Sequence, residues 1–144
     1  AASRLCCIGK VKEENLRLGQ GAKDCREKGI EQVKPWRFLG DMADAVNSHA
    51  KANGYSVVID IGGHGVGLEF HEDPFVSYVA PAGTEMLMVP GMIFTIEPMI
   101  NMGSADIYVD DNNGWTIYTE AGKPSAQWET MVLVTEDGCE ILAH

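Results

Sequence analysis

The sequence predicts an α+β domain in which helices cover one face of a curved, mainly antiparallel sheet. Helical periodicity is confined to residues 11–52, and β-rich runs separated by turn residues fill the remainder. The clearest turn, Asp110-Asp111-Asn112-Asn113-Gly114, lies between two short β-branched and aromatic runs and reads as a hairpin connection. A chain of 144 residues can bury a single core, so residues 1–144 are read as one domain.

Residues 4–8 are apolar and cysteine-rich and stop at Gly9, which predicts a buried strand. Residues 11–33 predict a helix. Glu13 and Glu14 stand in its first turn, where the helix dipole favours acids, and Pro35 closes it. Gly19 and Gly21 weaken it. A second helix is expected over 39–52, because Leu39, Met42, Val46, His49 and Ala50 recur at helical spacing on one face. Asn53-Gly54 supplies its stop. Strands are then expected at 55–61, 85–89, 92–102, 105–109, 115–119, 127–135 and 139–142.

Composition narrows the function class. The chain is 45% hydrophobic and 22% charged, as ordinary globular domains are. Its formal net charge of −10 argues against a nucleic-acid partner, whose phosphates would be repelled. No apolar run approaches the roughly 20 residues that span a bilayer, so no membrane partner is expected. The N-terminus lacks the basic start and apolar stretch of a secretory signal. Cys6, Cys7, Cys25 and Cys139 form no CxxC pair and read as reduced thiols, which points to a cytoplasmic setting.

The chemistry-bearing residues fall in three segments. His64 and His71 stand in the run GGHGVGLEFHEDP (62–74), Glu97 in FTIEP, and Glu129 in SAQWETMVLV. Strand alternation puts Ile93, Thr95 and Glu97 on one face, and Gln127, Glu129, Met131 and Leu133 on another. Each glutamate thus sits among apolar neighbours, where a lone carboxylate would cost several kcal/mol unless it were paired or bound to a cation. One imidazole and two carboxylates suit Mn, Fe, Co or Zn better than Ca or Mg. Taken singly, each signal has an ordinary explanation. Gly-rich runs are usually turns, and a strand-end Glu usually meets a basic side chain or solvent. The GxG of this run does not continue as GxGxxG before a helix, which argues against a dinucleotide site.

Together with PGMIFTIEPMINMG (90–103), NNGWTIYTEAGKPSAQWETMVLVTEDGCEIL (112–142) and GDMADAVNSHAKANGYSVV (40–58), the histidine run resembles the C-terminal half of bacterial-type methionine aminopeptidases. These are cytosolic metallo-exopeptidases of the pita-bread fold that remove initiator Met. Prolidases and creatinase-like enzymes share the histidine and TIEP-like segments, but they place Arg and an acid pair near the last ligand. The SAQWE segment here has the aminopeptidase form.

The resemblance implies roles residue by residue. His64, Glu97 and Glu129 correspond to metal ligands, and Glu97 also to the general base. His71 corresponds to the histidine that contacts the scissile peptide group and stabilises the tetrahedral intermediate. Phe70, His71 and Trp115 correspond to substrate-binding residues, with Phe70 and Trp115 at the rim and wall of the methionine pocket. The implied cofactor is a divalent transition metal (Co, Mn, Fe or Zn), and the implied partner is the N-terminal Met of nascent peptides. The family binds two ions, with two Asp among five ligands. Ala1 falls where one of those Asp would stand, so at most one ion is expected from this chain alone. On the same comparison the chain is expected to be a C-terminal catalytic half, prone to self-association or to pairing with the missing N-terminal half. The alternative expectation is a catalytically inactive half-fold that binds a metal or peptide or acts as a dimeric interaction module.

Overall fold

The computed structural model describes all 144 residues. Two helices come first, α1 (Glu13–Gln32) and α2 (Leu39–Ala52). Ten short strands follow: β1 (Ser56–Val57), β2 (Gly63–Gly65), β3 (Glu72–Val76), β4 (Ile93–Ile96), β5 (Met99–Asn101), β6 (Ile107–Val109), β7 (Ile117–Thr119), β8 (Ser125–Gln127), β9 (Thr130–Val134) and β10 (Cys139–Ala143). All strand pairs are antiparallel. They form a five-stranded sheet in the order β10-β9-β4-β2-β3, a three-stranded sheet β1-β5-β8, and the hairpin β6-β7. The α+β class therefore holds, with the sheet divided into three parts. No helix is long and apolar enough to cross a membrane.

Helix α2 forms as its periodicity predicts. Leu39, Met42, Val46 and Ala50 are buried, and each large one gains roughly 1.5–3 kcal/mol by leaving water. Its first amides are met by loop 84–86: Leu39 N–H bonds to Met86 and Gly40 N–H to Thr84. The Asp41 carboxylate accepts from Phe38 N–H at 3.2 Å and from Gly83 N–H at 2.9 Å. Those bonds, Gly83 foremost, hold the Asp41 carboxyl below its usual range, and the neighbouring Arg37 adds to them. Gly29 of α1 lets the helices approach closely, since a Cβ there would press on Ile96, Val46 and Met42. The core unites both helices with Phe94, Ile96, Ile100 and Val132.

Several expected strands differ. Residues 4–8 have no ladder partner; only Ser3 bridges, to Glu129, and Ile8 is 89% exposed. Apolar content without a neighbouring strand does not make a strand. The run 85–89 contributes a single bridge, Leu87 to Phe38: Met88 bonds Trp36 and Arg37 ahead of α2, and the Met86 carbonyl caps the helix. The expected strand 55–61 shortens to β1. The expected strands 92–102 and 127–135 each break in two, at Glu97-Pro98 and at Trp128-Glu129.

That double break has one cause. β4 pairs with β9 through Ile96↔Thr130, and β5 pairs with β8 through Met99↔Gln127. The register runs on unchanged, so Glu97 faces Glu129 and Pro98 faces Trp128. Val134 N–H bonds to Met92, which makes 92/134, and by alternation 94/132 and 96/130, the hydrogen-bonded pairs. The next such pair would be 98/128, and proline has no N–H to give. The ladder lapses there, and the ribbon passes from one sheet to the other.

Candidate metal centre

Glu97 and Glu129 occupy a non-hydrogen-bonded cross-strand pair, the kind in which side chains stand closest. Like charges directly opposite repel. His64 comes to them from β2, the other neighbour of β4. One donor atom each from His64, Glu97 and Glu129 lies within 4.8 Å of the others. His64 Nε2 is 3.6 Å from Glu97 Oε1, and both side chains are largely buried, at 15% and 13% exposure.

The hydrogen bonds around these groups fix their orientation. His64 Nδ1 lies 2.9 Å from the Gly65 carbonyl oxygen, which can only accept, so Nδ1 carries the proton. In the neutral ring the Nε2 lone pair then faces a carboxylate, a contact that either a proton on Nε2 or a cation between them would make favourable. Thr95 donates its hydroxyl to Glu97 Oε1 at 2.7 Å, and Gln127 donates its amide to Oε2 at 3.0 Å. Thr95 also accepts from His64 N–H at 3.0 Å, tying two of the three segments together. Burial, and then the charge of Glu97, push the Glu129 carboxyl upward, against the pull of the Ala1 ammonium and, less, of His64 and His71. The donors and their electrostatic strain fit a divalent ion.

The remaining predicted residues divide. Phe70 and His71 border the same open cleft of about 430 Å³ as the three donors. The His71 ring centroid is 4.3 Å from that of His64 and 4.5 Å from that of Phe70, in edge contacts. His71 itself is exposed and outside the donor group. The loop carrying both is folded on Glu72, whose carboxylate accepts from Glu69 N–H at 3.2 Å and lies against Gly67. Trp115 is 85% exposed and lines a neighbouring cleft with Met99, Ile117 and Gln127. Gln127, which lines this second cleft, donates to Glu97, which lines the first.

Sequence reasoning passed over Thr95, Gln127 and Tyr78 as site residues. The first two carried a signal: each lies two positions before a glutamate, on the same strand face. Tyr78 carried none. It is fully buried, and its hydroxyl accepts from Glu97 N–H at 2.8 Å and donates to the Thr95 carbonyl at 3.2 Å. Burial pushes its pKa well above the usual tyrosine value, and the charges of Glu97 and Glu129 add to this.

Comparison with known proteins agrees with the site. A family model described as metallopeptidase family M24 matches residues 1–136. Methionine aminopeptidase A of Synechocystis sp. is 44% identical over 140 residues, covering 97% of this chain and 55% of that protein. The crystal structure of methionine aminopeptidase from Rickettsia prowazekii superposes with a TM-score of 0.95 at 42% identity, over 97% of this chain and 56% of that one. A prolidase from Pyrococcus furiosus is more distant, at 0.75 and 26%, over 99% of this chain and 36% of that one. The chain spans about half the length of the curated relatives it matches. Its architecture is that of the pita-bread enzymes over the part they share. By its sequence, its fold and the match to the family model, the chain belongs to metallopeptidase family M24.

Proposed function

We propose that residues 1–144 act as one catalytic unit that holds a single divalent transition metal on His64, Glu97 and Glu129. Its function is to remove N-terminal methionine from peptides. The observation that carries this reading is the facing of Glu97 and Glu129 across one narrow ladder pair, with His64 Nε2 beside them. One imidazole and two carboxylates suit Mn, Fe, Co or Zn. When bound, such an ion polarises a carbonyl oxygen and makes hydroxide available near neutral pH.

The side chains supply the remainder. Glu97 is the proton acceptor, its oxygens aimed by Thr95 and Gln127. His71 stands at the open side of the cleft, where its ring N–H can donate to the oxyanion that develops on the scissile carbonyl. Phe70 offers an apolar edge for the methionine side chain, and Trp115 a second wall across Gln127. Nascent chains as substrate, and thiols with no disulfide among them, favour a cytoplasmic place of action.

The test is to incubate the chain with a Met-Ala-Ser tripeptide and excess Mn(II) or Co(II), and to follow free Met. Release that disappears in Glu97→Ala is expected. No release from the unaltered chain would confine this reading to metal binding.

A further inference from the structure

We propose that the Tyr78 hydroxyl is the positioning group of the metal centre, pinning the ligand-bearing end of β4, and through it the Glu97 carboxylate, beside His64. The proposal rests on the metal-binding reading given above.

Along β4, the backbone groups of Phe94 and Ile96 point toward β9, and those of Ile93, Thr95 and Glu97 point toward β2. Val66 N–H meets the Ile93 carbonyl at 3.0 Å, and Gly65 facing Phe94 is the one residue pair between β2 and β4. On its other edge β2 pairs with β3 along its whole length. The Thr95 carbonyl and Glu97 N–H thus point where no strand answers them. Both are next to the predicted ligands, and loose backbone there would let Glu97 swing.

Tyr78, two residues past the end of β3, fills the gap. One hydroxyl takes the Glu97 N–H at 2.8 Å and gives its proton to the Thr95 carbonyl at 3.2 Å, doing the work of a missing ladder rung. Phenylalanine would fill the same buried volume, so the oxygen is what the position requires. Gly63, the residue before His64, is matched to it: a Cβ there would overlap both the hydroxyl and the Thr95 carbonyl. The same oxygen therefore touches the strand bearing His64 and the strand end bearing Glu97. Thr95 carries that register to the side chains, accepting from His64 N–H and donating to Glu97 Oε1. Tyr78 reaches no open part of the cleft, so it acts on the metal only through Glu97 and His64.

The test uses the full chain and two readouts. First, amide hydrogen exchange of the metal-free wild type should show Glu97 N–H protected to the level of Val132 N–H in β9. Exchange at the rate of an open amide overturns the proposal without any variant, which covers the case of Tyr78→Phe failing to fold. In Tyr78→Phe, exchange at Glu97 should quicken at least about tenfold while Val132 is unchanged. Its Co(II) dissociation constant should rise about 10- to 100-fold, with an altered Co(II) absorption spectrum. Val46→Ala, which loosens the core under α2, should leave both the Co(II) affinity and the spectrum unaltered. Wild-type affinity and spectrum in Tyr78→Phe overturn the proposal, even if exchange quickens. A wild-type chain that takes up no Co(II) fails the metal-binding reading itself, and the proposal falls with it.

Discussion

Phe94 and Val132 face each other within the β4–β9 ladder and are fully buried, whereas Glu97 and Glu129 face each other just past its last pair. Both pairs lie in the same register, the second one step beyond the ends of β4 and β9. In the first, two apolar side chains leave water and nothing further is needed. In the second, two carboxylates are held together by a backbone that is itself well satisfied: Ser3 bonds both the N–H and the carbonyl of Glu129, and Tyr78 takes the N–H of Glu97. The core strands thus hold the like charges in place against their repulsion, and the pair is resolved only by a cation or a proton.

The largest expected effect breaks the site alone. Glu129→Ala should abolish Co(II) or Mn(II) uptake, measured by calorimetry, with the fold retained by circular dichroism. Undiminished uptake would remove Glu129 from the donor set. Phe94→Ala should do the reverse. It should cost about 3–5 kcal/mol in urea unfolding, while the folded fraction still takes up Co(II). If the folded variant lost the metal, the middle and the end of these strands would not be separable.

Asp41→Ala probes the helix-backed side at a smaller scale, about 1 kcal/mol for a lost capping acceptor. Because Asp41 has a lowered folded pKa, its contribution is present above the ordinary carboxylate pKa of about 4. It fades as pH falls through the folded value. An acid titration of stability in which wild type and variant converge at low pH is the expected outcome.

Glu129 has the opposite sign. Its folded pKa is raised, so the metal-free fold binds that proton more tightly than the unfolded chain does. Stability should therefore decline as pH rises from about 4 through the raised value. Glu129→Gln should be the more stable protein at neutral pH without metal, and the advantage should vanish on acidification. The smallest effect belongs to His71→Ala, which should leave Co(II) affinity unchanged, because His71 stands outside the donor group. A large loss of affinity there would give His71 a ligand role.

Much of this was legible in local pattern. The apolar face of α2 and its bounds follow from 3.6-residue periodicity, and the shared faces of Thr95 with Glu97 and of Gln127 with Glu129 follow from alternation. The strand expected at residues 4–8 shows the limit, since a strand exists only by pairing and pairing is not local.

By itself the sequence determined which residues can ligate and which helices form, because those depend on side-chain chemistry and short-range backbone geometry; the break at Pro98, inside a strand expected over 92–102, appeared only with the pairing of β4 and β9. Only the tertiary structure decided that Glu97 faces Glu129, that His64 joins them from a third strand, and that Trp115 lies in a separate cleft. Tyr78 is the plainest case: its hydroxyl matters for the two backbone groups it meets, and those belong to a strand more than a dozen residues away.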